Sequence, residues 1–310
     1  MATREFPALS RKAVDWVVAT AGNAAEVSRI ETLSGGTSSA LYELDLFQGE
    51  EKQAYILRLF TDKEWLAMEP DLARHEAESL RYAEQLGMAT PRLIGFDELG
   101  EHCGAPAVLM TKLEGAVVLE PKQEPLWIDG LAQNLAAIHQ FKAEGFPFDY
   151  FSYNEPAMEK PLWSKRPEEW MRAFYIIAGP RPPAPACFIH RDYHPANVLW
   201  TGNQVSGIVD WVNSCRGPAG IDVGHCRVNL AQLHGVSAAD DFLGAYYQHA
   251  GSAFSYDPYW DLLSLTDILE GTPSVYAGWP AFGVKGLSDE LVQHRLDTYL
   301  LSLLDRFDEQ

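Results

Sequence analysis

The chain has 310 residues, 47% hydrophobic and 22% charged, which suits one large or two smaller folded units with a sizeable core. The formal charge of −19, from 24 basic and 43 acidic side chains, disfavours nucleic-acid binding and is compatible with a cationic substrate or with solubility alone. No apolar run approaches the roughly 18–20 residues of a membrane span, and MATREFPALSRK lacks the basic-then-apolar layout of a signal peptide. A cytoplasmic location without a membrane partner is therefore expected, with Cys103, Cys187, Cys215 and Cys226 reduced.

In chain order, the apolar spacing predicts a leading helix over 8–21. VSRIETL, ALYELDLF and QAYILRLF then read as three strands. DLARHEAESLRYAEQL, 71–86, reads as an amphipathic helix with Gly87 as its stop. RLIGFD and PAVLMTKL are two further strands, so residues 25–113 make a small β-β-β-α-β-β region. Leu113-Glu114-Gly115 reads as a hinge, which divides the chain into 1–113 and 114–310. Beyond it helices are expected at 125–142, 167–178, 219–234, 238–250, 257–270 and 287–307. Residues 143–165 read as a loop and GPRPPAPA as a rigid approach to the next segment. CFIH, NVLW and QVSGIVDW are short strands around a polar turn.

That turn, FIHRDYHPANVLW, carries the densest chemistry. His190, Asp192 and Asn197 form H-x-D-x-x-x-x-N, and Asp210 follows in GIVDW. Phosphoryl transfer needs such a set: one carboxylate to orient a hydroxyl, and an amide plus a second carboxylate to hold a metal against phosphates. Asp192 is thus the candidate base, Asn197 and Asp210 the candidate Mg²⁺ ligands, and His190 a structural residue under the loop. Asp222, at the start of a helix, is either a dipole-favoured carboxylate or a brace for the loop. The alternation of His190, Asp192 and His194 admits a transition-metal hydrolase reading. Pro195 breaks the strand it would require, and it leaves Asn197 and Asp210 without a role.

Two upstream features add phosphate chemistry. Ser34, Gly35, Gly36 and Thr37 form a turn of small residues that lets backbone N–H groups approach phosphate oxygens. Arg58 sits in an apolar strand, where a cation needs a partner. Glu76 or Glu78 of the following helix would supply it, with Glu76 preferred.

Taken together, SGGTSSALYEL, YILRLF, RHEAESL, HRDYHPANVLW and GIVDWVNSCRGPAGID resemble the aminoglycoside phosphotransferase family, which includes choline-kinase-like small-molecule kinases, over roughly residues 25–235. The resemblance implies an α+β, two-lobed, protein-kinase-like fold, with an N-terminal antiparallel sheet lobe carrying one main helix and a larger, mainly helical C-terminal lobe. It implies ATP (or GTP) and Mg²⁺ as cofactors, and transfer of the γ-phosphate to a hydroxyl of a small molecule that is aminoglycoside-, choline- or sugar-like. By the same resemblance Met110–Lys112 contacts adenine through its backbone, and Arg58 stands where many relatives carry lysine. Arg191 departs from the glycine common in antibiotic-modifying relatives and brings the motif nearer to protein kinases. GIVDW is not D-F-G, however, and the short interval to Asp222 leaves no room for an activation loop. A nucleotide-binding regulatory module is the non-enzymatic alternative. Trp163, Trp170, Tyr175, Tyr256, Tyr259, Trp260, Tyr276 and Trp279, with Asp261, Asp267 and Glu270, are the candidate acceptor contacts, each weighed against a place in the core.

Overall fold

A computed structural model describes residues 9–22, 25–33, 39–152, 158–269 and 271–308. The chain is α+β and forms two compact units, Met1–Gly115 with Ser206–Asn213, and Ala116–Val205 with Ser214–Gln310. Ser34, Gly35, Gly36, Thr37 and Glu270 lie outside the described residues.

The first unit begins with α1 (Arg11–Ala21), capped by Ser10, whose hydroxyl accepts from Ala13 N. Its five strands are β1 (Ala25–Leu33), β2 (Ser39–Gln48), β3 (Glu51–Phe60), β4 (Leu93–Asp97) and β5 (Ala107–Thr111). They form one antiparallel sheet in the order β1-β2-β3-β5-β4. Gln48 pairs with Glu51 across a two-residue turn, and Gly49 takes the left-handed φ of 64° that such a hairpin requires. Tyr42, Leu44, Leu46, Leu57 and Leu109 are buried in one cluster with Ala13 and Val17 of α1. A short α2 (Lys63–Met68), absent from the sequence expectation, starts at Asp62, which accepts from Glu64 N and Trp65 N.

The predicted helix 71–86 is α3 (Leu72–Ala83), with its last turn tightened to a 3-10 turn, Glu84–Leu86. Its buried face includes the polar Glu76 and Ser79 as well as Leu72, Ala73, Ala77 and Leu80. Residues 206–213 are bonded into this unit. Ser206 Oγ donates to Glu114 O at 2.8 Å, Ile208 N to Ala89 O at 3.1 Å, and Trp211 Nε1 to Ile208 O at 2.9 Å. A Cβ on Gly207 would stand 2.5 Å from Leu113 Cδ1 and 3.3 Å from Ala89 O, so a larger residue here would have to displace the leucine side chain.

The second unit is mainly helical. Its elements are β6 (Ala116–Val117), α4 (Glu124–His139), α5 (Pro167–Ile177), β7 (Ala186–Ile189), β8 (Val198–Thr201), the start of β9 (Gln204–Ile208), β10 (Cys215–Pro218), α6 (Ala219–His234), α7 (Val236–Ala250), α8 (Pro258–Asp267) and α9 (Asp289–Asp308). β6 pairs with β8 and β10 with β7, both antiparallel. α6 is buried on nearly every face, against α7, α8 and α9. Its buried Arg227 bonds Ala239 O, Asp240 and Asp261, and Tyr256 and Tyr299 also donate to Asp261. A buried guanidinium is tolerable only with such pairing. Trp170 packs into this core with its Nε1 donating to Asp297 at 2.8 Å. The cysteines are free, and no helix among the described residues is long and apolar enough to cross a membrane.

Candidate active site

The second unit supplies the polar turn between β7 and β8. Asp222, fully buried near the start of α6, accepts from His190 N at 2.7 Å and Arg191 N at 2.6 Å. It also bonds His139 Nε2 at 3.0 Å, and His139 Nδ1 meets Tyr246 OH at 2.6 Å. The helix-start carboxylate thus braces the turn through its backbone, and the hydrogen bond to His139 holds the brace in place. Tyr193 is buried, with its hydroxyl donating to Leu131 O at 2.8 Å. His190 is buried with its ring edge-on to Tyr193, as expected of a residue packed under the loop. Arg191 has φ 67°, the left-handed region that glycine occupies without cost.

Asp192 faces three side chains. Asn197 Nδ2 donates to Asp192 O at 2.9 Å and to its Oδ2 at 3.3 Å. His225 Nε2 lies 3.1 Å from Asp192 Oδ1, and His194 Nε2 lies 3.7 Å from the same oxygen. His194 Nδ1 accepts from Ala196 N at 3.4 Å, which turns Nε2 toward Asp192. Burial would raise the Asp192 carboxyl, but the bond from His225 and the charges of His194, His225 and His190 hold it well below its ordinary range. Burial opposes the charge on His225 in turn, and its bond to Asp192 raises it above the usual imidazole value.

The ligand atoms of Asp192, His194 and His225 lie within 4.8 Å of one another. The trio that the alternation in sequence suggested differs, because His190 packs under the loop and His225 of α6 takes the third place. In the described structure these groups bond one another, His225 Nε2 to Asp192 Oδ1 at 3.1 Å among them. His225 went unnoticed in the sequence, although it stands one helical turn after Asp222 and so on the same face of α6. Asp267, the last residue of α8, is pushed up to about 6 by burial, against the pull of His225, Arg191 and Arg181.

The first unit supplies the other charged group. Arg58 on β3 is buried, and its Nε donates to Glu76 Oε1 at 3.0 Å. Its Nη1 donates to Ser39 Oγ at 3.0 Å and its Nη2 to Asp210 Oδ1 at 2.8 Å. Glu78 pairs instead with Arg81 at 2.6 Å. Burial pushes Glu76 up to about 7, because Arg58 must divide its charge between two carboxylates and Asp210 adds repulsion. Burial works against the charge of Arg58, yet Asp210 and Glu76 hold its pKa above the ordinary value. Glu76 Oε2 and Ser79 Oγ are buried without a hydrogen-bond partner among the described residues. Asp210 has φ 66°, and its side chain is about one-third exposed. Met110 pairs with Ile56 in the sheet; the Lys112 N–H donates to Ala54 O at 3.2 Å, and Lys112 Nζ bonds Glu43 at 2.7 Å. The Lys112 amide is therefore engaged in extending the β5–β3 pairing.

Most of the expected acceptor contacts are structural. Trp170, Tyr259, Trp260 and Trp279 are buried core residues, and Asp261 is the partner of Arg227. Trp163 packs edge-on against Trp170, Tyr276 against Trp279, and Tyr256 lies beneath Arg227. Tyr175 is exposed. Among the described residues of this set, Asp267 shares the surroundings of Arg191 and His225. A separate concavity of about 320 Å³ is lined by Glu120, His234, Lys285 and Arg295. Much of its polar lining already serves the fold: Arg295 donates to Gln232 O and Leu233 O, His234 bonds Leu119 O, and Glu120 accepts from Lys285 N.

Residues 29–263 match the model of the phosphotransferase enzyme family. A homoserine kinase of Allorhizobium ampelinum is 32% identical over 140 residues, 41% of this chain and 43% of that protein. The chain thus spans less than half the length of that relative. A homoserine kinase of Chelativorans sp. is 27% identical over 212 residues, 63% of this chain and 62% of that protein. Among solved structures, macrolide 2'-phosphotransferase MphH from Brachybacterium faecium superposes with a TM-score of 0.56 at 16% identity, covering 83% of this chain and 88% of that one. Amicoumacin kinase hAmiN, solved with AMP-PNP, Ca²⁺ and its ligand Ami, gives 0.57 at 15% identity, covering 89% and 88%. The fold is accordingly that of the protein-kinase-like phosphotransferases. With the match extending over most of its length, the chain belongs to the phosphotransferase enzyme family.

Proposed function

We propose that the protein is an ATP- and Mg²⁺-dependent kinase that transfers the γ-phosphate to a hydroxyl of a small molecule. The observation that carries this reading is the fixed carboxylate of Asp192, bonded by Asn197 and His225 and held ionised beside them. An ionised, oriented carboxylate is what a hydroxyl nucleophile needs as hydrogen-bond acceptor.

In this mechanism Asp192 orients the acceptor hydroxyl by accepting its hydrogen bond. His225 and His194 keep the carboxylate charged and aimed. Asn197 has turned its Nδ2 to Asp192, which leaves its amide oxygen for a cation. That oxygen and the Asp210 carboxylate are hard donors of the kind Mg²⁺ takes. Each is a proposed Mg²⁺ ligand by its own chemistry, and the ion would supply neutralisation of phosphate charge. Arg58, kept in place by Glu76 and Ser39, adds a fixed guanidinium that reads phosphate oxygens as a planar fork where lysine would be a point charge. Ser34, Gly35, Gly36 and Thr37 are the proposed backbone contacts to the phosphates, and Met110–Lys112 the proposed adenine edge.

The names of the relatives define the acceptors to try: homoserine, macrolides and aminoglycosides, to which choline is added. ADP release should accelerate with at least one hydroxyl compound. Asp192→Ala should lower turnover by about 10²–10⁴-fold with nucleotide binding kept, and Asp210→Ala should weaken Mg-nucleotide binding. Turnover unchanged in Asp192→Ala would sink the assignment, and an ADP rate indifferent to every acceptor would favour a binding module. GTP run in parallel tests the nucleotide.

A further inference from the structure

The C-terminal end of α6 is held by a cation that has no acid beside it. Arg295 of α9 donates through Nη1 to Gln232 O at 2.7 Å and Leu233 O at 2.6 Å. These are carbonyls that a helix end leaves without an intrahelical partner, and both are neutral. Among the described residues no carboxylate pairs with Arg295, and its Nε and Nη2 have no hydrogen-bond partner. The residue is half-buried, and burial lowers its pKa below the ordinary guanidinium value with no neighbouring charge to oppose it. It lines the concavity of about 320 Å³ together with Lys285, whose Nζ likewise has no partner among the described residues. Leu119, Leu233, Val284, Leu287 and Leu291 make the apolar part of the wall. Glu120 and Glu124 also line it, but both are exposed, and Glu120 already accepts from Lys285 N at 2.9 Å. Their charge acts on His234 and not on Arg295. Water serves an exposed carboxylate well; a half-buried guanidinium without an acid is the group left short of a partner.

We propose that this concavity binds a small monocarboxylate with a short apolar body. Arg295 receives the carboxylate through Nε and Nη2, which form one planar edge of the guanidinium and match two carboxylate oxygens. Lys285 adds a second cation, and the leucines and Val284 cover the apolar body. The volume lies at the low end of the roughly 300–1,000 Å³ that ligand sites occupy, so the ligand is small. The site is separate from the phosphoryl-transfer centre. Leu233 stands two turns after His225 on α6, about 12 Å along the helix axis. None of the side chains that face Asp192 lines the concavity. A ligand enclosed there does not reach Asp192, so it is a second ligand and not the acceptor.

The test is calorimetric binding to the whole chain without nucleotide, so its outcome does not depend on phosphoryl transfer. The probes are hexanoate, hexan-1-ol (apolar body only), acetate (anion only) and hexylamine (apolar body with a cation). Hexanoate is expected to bind most tightly, about ten- to a hundredfold better than hexanol. R295Q keeps a side-chain donor for the α6 carbonyls and removes the charge. It should weaken hexanoate to the level of hexanol and leave hexanol unchanged. L291F narrows the concavity with Arg295 in place, and should weaken hexanoate and hexanol alike. D192A should bind hexanoate as the wild type does. The proposal is overturned if hexanol, acetate or hexylamine binds as tightly as hexanoate, if R295Q leaves hexanoate binding intact, or if no probe binds. Loss of hexanoate binding in D192A overturns the separate site by placing the ligand at the transfer centre. Should R295Q fail to fold, L291F decides: an unchanged hexanoate affinity there removes the concavity as the site.

Discussion

Asp222 has no contact with a reacting group in the mechanism proposed here, yet it fixes the turn that presents Asp192. It receives two backbone N–H groups and one imidazole, all buried. Asp222→Ala would strand those donors and is expected to cost about 3–5 kcal/mol in urea denaturation; a loss below about 1 kcal/mol would refute the bracing role. Glu76 gives a prediction with a sign. Its folded pKa is raised from 4.5 to about 7, so it favours folding most below its unfolded value and loses that contribution as pH rises through 7. The stability of wild type relative to Glu76→Gln should therefore fall between pH 4.5 and 7 and level off above. A difference that stays constant across that window would show that Arg58 fully compensates the buried carboxylate.

At the scale of elements, the close packing of α6 on α8 is the constraint most open to a single substitution. A Cβ on Gly220 would stand 2.5 Å from Trp260 Cγ and Cδ1, and one on Gly224 2.7 Å from Trp260 O. Gly220→Ala should destabilise the protein by about 1–3 kcal/mol, measured as a lowered Tm. An unchanged Tm would mean that Trp260 can withdraw. The elements themselves were largely legible. Helices 167–178 and 219–234 were expected within one residue of α5 and α6, because length and flanking Gly or Pro signals bound them. α2 was missed because six residues are too few to show a period. In the candidate site, Arg58 and its carboxylate partner were legible because an isolated cation in an apolar strand demands one. His225 and Ser39 were not, since no local pattern encodes a contact made through packing. The concavity lined by Leu119, Leu233, Lys285 and Arg295 joins distant segments that only the folded chain brings together.

For the whole molecule, the charge of −19 is a self-repulsion that salt relieves. Tm should rise as NaCl goes from about 10 to 150 mM, over which the Debye length shrinks from about 30 to 8 Å. A falling Tm would mean that attractive pairs such as Arg172–Asp308 outweigh the net repulsion. The central claim, that Asp192 directs a phosphoryl group onto a small-molecule hydroxyl, is tested most directly by ³¹P NMR of the protein with Mg-ATP and the acceptor panel. The account predicts a new phosphomonoester signal with at least one acceptor for wild type, and none for Asp192→Ala at equal nucleotide occupancy. A phosphomonoester formed equally fast by Asp192→Ala, or inorganic phosphate as the sole product with every acceptor, would contradict it.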